Sequence, residues 1–319
     1  MPPLPKPKFN YDYDVAAQID ALRHYRDTEP GRAIPPKATD RILLATWNVA
    51  NLGVQERTDK DYQLLGEIMS WFDIIAVEEV NDNLIGLRSI CSHMPATYRV
   101  LVSDASGNNE RLAFLYDTTK ATLLEKVGEI AYSPTGARNV KLPGITQQFN
   151  GFDRNPYFAA FEAGTFKFLL AAVHLFYGSE SSIDKNRRSL ETYAVARWAD
   201  LRRKSQYAYT RNIVPLGDFN LPKTQPGDQI FDALTKRGLM LPGHTSQIGS
   251  SIASDNHYDQ IAFFPGDTED HFTGNTGVFD YDGIIFHTLY QANQKDFLIY
   301  CRYHISDHRP MWIEFKTGP

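Results

Sequence analysis

Apolar residues run along the chain in short blocks with two different spacings. Arg41–Trp47 (RILLATW) is a continuous run of strand length, the pattern of a strand covered on both faces. Asp59–Trp71 places Leu64, Leu65, Ile68 and Met69 at helical spacing, and Asp73–Val80 (DIIAVEEV) returns to a buried strand. Asp82–His93 predicts a helix, Arg111–Tyr116 and Ala121–Ile130 two strands, and Tyr157–Ala163 with Thr165–Leu175 a hairpin about Ala163-Gly164. Ser182–Lys204 is the clearest helix. Its residues Leu190, Ala194, Trp198 and Leu201 share one face, and Arg187, Arg188, Arg202 and Arg203 are assigned to a solvated one. Ile213–Gly217, Tyr258–Phe264, Phe297–Tyr303 and Pro310–Phe315 complete the expected strands.

Residues 1–40 differ from the rest. Four prolines fall among the first eight residues, which are expected to be extended or disordered. Val15, Ile19 and Leu22 then mark a helix over Val15–Arg26, and a Pro/Gly-rich stretch follows from Pro30 to Pro36. This arm is expected to pack on a main domain spanning residues 41–319. That domain shows no repeat and no internal linker. Its strands and helices do not alternate strictly, which points to packed sheets with helices outside.

With 319 residues, 42% of them hydrophobic, the chain can bury a large core. The net charge of −5 argues against a protein that coats nucleic acid but leaves room for a local basic patch. The two cysteines, Cys91 and Cys301, read as free thiols in a reducing compartment and are too few for a zinc ribbon. MPPLPKPKF lacks the apolar region of a secretory signal, and no run approaches the length of a membrane span. A cytoplasmic protein with no membrane association and no obligate protein partner is expected.

Polar residues stand at the ends of these apolar runs. Asn48 follows RILLATW, Glu79 ends DIIAVE, His174 ends FLLAAV, and Asp218 and Asn220 follow IVPLG. Asp259 opens YDQIAFF, and Asp307 and His308 precede PMWIEF. Each has an ordinary explanation as a turn residue, a cap or a satisfied histidine. Six strand ends so furnished are too many for chance. The set also suits phosphodiester hydrolysis, which needs an activated water, stabilised phosphoryl oxygens and help for the leaving oxygen. Glu79 and Asp307, with Asn48, are of the oxygen-ligand type that Mg²⁺ or Mn²⁺ takes. His174 and His308 can bind phosphate or move protons, with Glu110 and Asp259 fixing their tautomers.

The segments TWNVAN, IIAVEEVND, NNERLAFLYD, AAVHLFYG, LGDFNLP, HYDQIAF and ISDHRP resemble, in order, the signature blocks of the DNase I-like (endonuclease/exonuclease/phosphatase) superfamily, from about residue 41 onward. The resemblance implies a four-layered α/β sandwich, two central β-sheets flanked by helices, with the site at one rim. It implies a metal region at Asn48, Glu79 and Asp307, and Asp218 orienting or deprotonating the attacking water. Asn220, His174 and His308 would meet the phosphate, Glu110 would support His174, and Asp259 would support His308.

FDRNPYFAAF resembles the Arg-x-Pro segment of DNase I-type enzymes and puts Arg154 near the substrate phosphates. A nuclease acting on DNA is the leading expectation. The alternatives are a phosphoesterase for a small-molecule or lipid-headgroup phosphate and a non-catalytic nucleic-acid-binding module. Asn81 stands where secreted DNase I carries an arginine that enters the minor groove, and Leu221-Pro222-Lys223 replaces the cysteine after its Gly-Asp-Phe-Asn block. Tyr132–Phe152 and Thr245–His257, polar and Gly-rich, are expected to grip substrate. Two features look like sites and are set aside. His304 and His308 are four apart but are assigned between strands, without helical zinc-site geometry. Asp280 and Asp282 are assigned to a loop at a strand start.

Overall fold

The continuous apolar runs become the central strands of two packed sheets. The computed structural model describes residues 4–318 apart from Thr245 and Asp255. Parts of two expectations, the first three residues of the proline-rich segment and two positions in the Thr245–His257 loop, lie outside the described residues.

The first sheet holds β1 (Arg41–Leu52), β2 (Ile74–Asn81), β3 (Tyr98–Val102), β4 (Glu110–Asp117), β10 (Phe272–Val278) and β11 (Met311–Lys316), in the order β10-β11-β1-β2-β4-β3. The second holds β5 (Thr122–Glu129), β6 (Tyr157–Ala163), β7 (Phe166–His174), β8 (Ile213–Asp218) and β9 (Asp259–Ile261), in chain order. Each sheet contains a parallel pair, β1–β2 in one and β7–β8 in the other. Antiparallel neighbours flank both pairs.

Aromatic and aliphatic side chains, among them Leu44, Ile74, Phe114, Phe161, Phe168 and Ile313, fill the space between the sheets. On the outer face of the first sheet lie α1 (Val15–Thr28), α2 (Asp59–Ser70), α3 (Ile85–Ser92), α7 (His287–Ala292) and α8 (Gln294–His304). Against the second sheet lie α5 (Ser182–Arg203) and α6 (Gln229–Thr235), and the short α4 (Pro134–Arg138) sits in the β5–β6 connection. The result is the four-layered α/β sandwich, with both faces of each sheet covered, which is why the central strands lack polar alternation.

The arm is anchored to the first layer of helices. Leu22 is fully buried, and the Tyr13 hydroxyl donates to Asp61 Oδ1 at 2.8 Å. Arg23 forks onto the Glu67 carboxylate at 2.7 and 2.8 Å.

Phe297–Tyr303 is helical, within α8, where a strand was expected. Its aromatic and β-branched composition suggests a strand, but the start signal lies upstream. Asn293 caps the helix by accepting from the Lys295 and Asp296 N–H groups, and Phe297, Tyr300 and Cys301 are buried at helical spacing. The assignment of Asp280 and Asp282 to a strand start is also corrected. Asp282 lies in a 3₁₀ turn at Tyr281–Gly283, with Asp280 capping it. Their carboxylates hold Arg32 and Arg309.

Arg188 is wholly buried and Leu201 is exposed, the reverse of the expected faces of α5. The Arg188 guanidinium donates to the carbonyls of Tyr177, Ser179 and Asn220. A helix-wheel stripe cannot anticipate this, because the arginine is drawn inward by backbone carbonyls of a neighbouring loop. Two strands were not anticipated. β3 has an exposed, mixed pattern, and β10 is an edge strand interrupted by Gly274.

Gly217 ends the apolar part of β8 with φ +133°, and a Cβ there would lie 2.1 Å from the Val173 carbonyl oxygen. The glycine lets β8 run close against β7 at the point where both strands deliver their terminal side chains.

Candidate active site

In each parallel pair the two C-terminal ends point the same way, and the antiparallel neighbours begin where those strands stop. Seven strand ends therefore meet at one rim. From the first sheet come Asn48 on β1, Glu79 on β2, Glu110 at the start of β4 and His308 before β11. From the second come His174, in register with Asp218, and Asp259, in register with Asp218 from the other side. Six of these seven residues are buried at 7% exposure or less, and His308 is partly buried.

Asp218 is the hub. Its Oδ2 accepts from Asn48 Nδ2 at 3.1 Å and lies 3.7 Å from His174 Nε2 and 4.0 Å from His308 Nε2. Its Oδ1 accepts the Asn220 N–H at 2.8 Å. Burial works to raise this carboxyl, but His308, His174 and those two donors outweigh it and hold it below its ordinary value. Asp218 is therefore an acceptor, suited to taking a hydrogen bond or a proton from water.

Each histidine is backed by a carboxylate. His308 Nδ1 lies 2.6 Å from Asp259 Oδ2, so Nδ1–H donates to it and Nε2 faces Asp218. Burial alone would lower His308, yet Asp259, Asp218 and Asp307 together hold it well above the usual imidazole range. It is poised as a cation and a donor. His174 Nδ1 lies 3.1 Å from Glu110 Oε2. Burial would raise Glu110, but His174 and Arg154 pull it down to about 2, so it is held as a carboxylate.

Glu79 and Asn48 form a second group. Glu79 accepts from Asn48 Nδ2 at 3.0 Å and from the Asn51 N–H at 2.8 Å. Glu79 and Asn51 have φ of +59° and +49°, and the β1–β2 register breaks between Asn48 and Leu52. This irregularity turns the Glu79 carboxylate toward Asn48, and such strain is characteristic of functional rims. Asn48 Oδ1 is buried with no hydrogen-bond partner among the described residues. An unpaired carbonyl oxygen beside a carboxylate fits the hard-oxygen donor set of Mg²⁺ or Mn²⁺.

Asp307, expected in the same metal region, is not hydrogen-bonded to Asn48 or Glu79 among the described residues; its Oδ2 lies 3.4 Å from Arg302 Nη2. A different trio, Asp218, Asp259 and His308, has its ligand atoms within 4.8 Å of one another. Within it, the Asp259 and His308 atoms are already engaged with each other.

Arg154 is 4% exposed and turned inward. Nε donates to the His174 carbonyl at 2.9 Å, Nη2 to the Leu175 carbonyl at 3.1 Å and Nη1 to Asp153 at 3.1 Å. Three of the five N–H donors of Arg154 thus hold the end of β7 and the neighbouring Asp153. Asn220 has φ +51°, and its Nδ2 donates to the Leu175 carbonyl at 2.8 Å. His304 ends α8 rather than lying between strands, and its Nδ1 meets Asp61 Oδ2 at 2.8 Å, away from the partner of His308.

Several supporting residues escaped the sequence. Ser306 donates to the Asn48 carbonyl at 2.6 Å and accepts the His308 N–H at 3.1 Å, tying the two ends together. Glu78 is fully buried against Thr46 Oγ1, and burial with the nearby Asp259 pushes its carboxyl well above the ordinary range. Glu191 on α5 accepts the N–H groups of Asp153 and Phe176, on either side of the strand end that carries His174. Ser306 lies within ISDHRP, beside the two residues the sequence singled out. Glu191 gave no signal, because a helix acid reads as surface.

The fold is similar to that of solved endonuclease/exonuclease/phosphatase proteins. TDP2 of D. rerio, complexed with a single-strand DNA product, superposes with a TM-score of 0.58 at 13% identity, covering 87% of this chain and 99% of that one. The catalytic domain of human Nocturnin gives 0.55 at 16% identity, over 88% and 95%. The mannosyl-6-phosphatase Bt3783 of Bacteroides thetaiotaomicron gives 0.53 at 15%, over 86% and 99%. In sequence, a deoxyribonuclease of Thioalkalivibrio sp. (strain K90mix) is 28% identical over 295 residues, 89% of this chain and 73% of that protein. No family model matches the chain. No helix among the described residues is long and apolar enough to cross a membrane.

Burial pushes the Glu191 carboxyl up to about 7 from an ordinary 4.5. The folded protein then holds this proton more tightly than the unfolded chain. The stability so gained is present in full below about pH 4.5 and is lost as pH rises through about 7. Between pH 5 and pH 8 the unaltered protein should lose roughly 2–3 kcal/mol more unfolding free energy than Glu191→Gln. Urea titrations of both at the two pH values check this; equal losses would show that Glu191 is ionised normally.

Proposed function

We propose that the chain is a divalent-metal-dependent phosphodiesterase, a nuclease that hydrolyses DNA by in-line attack of water at this rim. The observation that carries the reading is the placing of one buried, ionised carboxylate, Asp218, between two histidines that are each backed by a second carboxylate. The likeness to a deoxyribonuclease over most of the chain supports DNA as the substrate.

Asp218 Oδ2 would accept a hydrogen from the attacking water and aim its lone pair at phosphorus, taking the proton as the new P–O bond forms and the opposite P–O bond breaks, with the leaving oxygen protonated from solvent. The His308 imidazolium, kept protonated by Asp259, would donate Nε2–H to a phosphoryl oxygen and stabilise the charge that builds there. His174 would present Nε2 from the opposite side, its ring fixed by Glu110 and by the Arg154 clamp on its carbonyl. Asn220 is held by Leu175 with its remaining amide hydrogen free to meet the phosphate. Mg²⁺ or Mn²⁺ would be held by Asn48 Oδ1 and the Glu79 carboxylate, with Asp307 close by, and would supply Lewis-acid stabilisation of the phosphoryl oxygens.

Digestion of supercoiled plasmid and of oligonucleotides with Mg²⁺ or Mn²⁺, beside an EDTA control, tests the activity. His308→Ala and His174→Ala should each lower turnover by about 10²–10⁴-fold while the variants still fold and unfold cooperatively. Near-unaltered cleavage by both variants, or cleavage that persists in EDTA, contradicts the proposal.

The cation is tested separately by thermal unfolding. Saturating Mg²⁺ should stabilise the protein, by about 2.7 kcal/mol at a hundredfold excess over its Kd. Glu79→Gln should abolish that stabilisation and Asp259→Asn should retain it. The opposite result would move the ion to the Asp218, Asp259 and His308 trio.

A further inference from the structure

The β5–β6 connection encloses a cavity of about 920 Å³, and a second of about 370 Å³ adjoins it through Gln147–Phe152. Their lining has an unusual composition for a chain of net charge −5. No carboxylate lines either cavity among the described residues, whereas Arg138 and Lys141 are both exposed on the wall of the larger one. A third cation, Arg187, is spent on Asp153 and Glu191.

The floor is aromatic. Phe149 stands edge-on to both Tyr132 and Phe152, with ring centroids 5.6 and 5.2 Å away. The Tyr132 hydroxyl anchors the cluster by donating to the Ala194 carbonyl at 2.7 Å. Tyr132 and Phe152 are only half-buried, so ring surface remains open to a ligand. The side-chain amides of Gln147, Gln148 and Asn150 also line the space and make no hydrogen bond among the described residues.

This groove adjoins the rim along the chain. Phe152 is two residues from Arg154, at most about 7 Å of chain, and Arg154 donates to the His174 carbonyl. One wall of the groove is thus tied through Arg154 to the strand end that presents His174.

We propose that the groove formed by residues 130–155 seats an unpaired nucleotide of a nucleic-acid strand flanking the scissile phosphate. The ring surfaces stack the base, the free amides meet its polar edge, and Arg138 and Lys141 meet the adjoining phosphates. A base inside a duplex has both faces covered by its neighbours, so the groove selects single strands or frayed ends. This inference rests on the phosphodiesterase reading for the location of the scissile phosphate, but its test does not depend on turnover.

The test is fluorescence anisotropy of the full chain, in EDTA, with a labelled oligothymidylate, an abasic strand of the same length and a blunt duplex. The unaltered protein should bind oligothymidylate about tenfold more tightly than the abasic strand. Arg138→Ala with Lys141→Ala, both at exposed positions, should weaken single-strand binding about tenfold. The same pair should make the slope of log affinity against log salt shallower by about 1.4. Phe152→Ala should weaken oligothymidylate binding about tenfold and leave abasic binding unchanged.

Equal affinity for the abasic strand overturns the proposal. So does an equal loss on duplex and single strand in the double variant, which would reduce the two cations to a general backbone contact. If Phe152→Ala fails to fold, the abasic comparison with the unaltered protein still decides. Hydrolysis of bis(4-nitrophenyl) phosphate by the unaltered protein reports separately on the rim. Its absence beside base-dependent binding removes the phosphodiesterase reading and keeps the groove, and its presence without base-dependent binding does the reverse.

Discussion

A hydrogen bond between the two sheets, from Asn48 Nδ2 to Asp218 Oδ2 at 3.1 Å, is the contact on which the rest of the site depends. Asn48 belongs to β1 and Asp218 to β8, and the bond forms only if the sheets pack with their parallel pairs aligned. The filling between them sets that alignment. A slip of one residue, about 3.3 Å along a strand, would turn core side chains toward the wrong face and separate the rim residues together. The geometry of the site is therefore stored in the apolar interlayer, and the polar groups at the rim receive it.

That arrangement is electrostatically demanding. Glu78, Glu79, Glu110, Asp218 and Asp259 are all buried within one region. Buried charges persist only with partners. His174 and His308 compensate Asp218, Glu110 and Asp259, whereas Glu78, with no ion pair among the described residues, is driven toward its neutral form. The residual imbalance lies at Glu79 and at the unpaired oxygen of Asn48, where a bound cation would relieve it. Left-handed backbone at Asn51, Glu79 and Asn220 falls in the same place, so strain and unpaired polarity coincide.

The central strands and the rim residues were legible because each is a polar residue ending an apolar run, a pattern that survives without any knowledge of topology. Residues that act across the chain were not. Arg188 looks like helix surface and is buried by carbonyls from residues 177–179 and 220, and Arg154 reads as a substrate contact yet clamps the end of β7. Phe297–Tyr303 was misread because strand-like composition outweighed a cap at Asn293. The aromatic floor at Tyr132, Phe149 and Phe152 was legible only as a polar, Gly-rich loop, since its rings are spread over residues that show no period.

The most direct measurement is steady-state hydrolysis of bis(4-nitrophenyl) phosphate, with Mg²⁺, by the unaltered protein and by Asp218→Asn. Asparagine keeps the size of the side chain and removes the base and the charge between the histidines. The expected result is metal-dependent turnover by the unaltered protein that falls by about 10³-fold or more in the variant, with the urea midpoint little changed. Turnover by Asp218→Asn within a few-fold of the unaltered protein would contradict the reading of this rim as the site of phosphodiester hydrolysis.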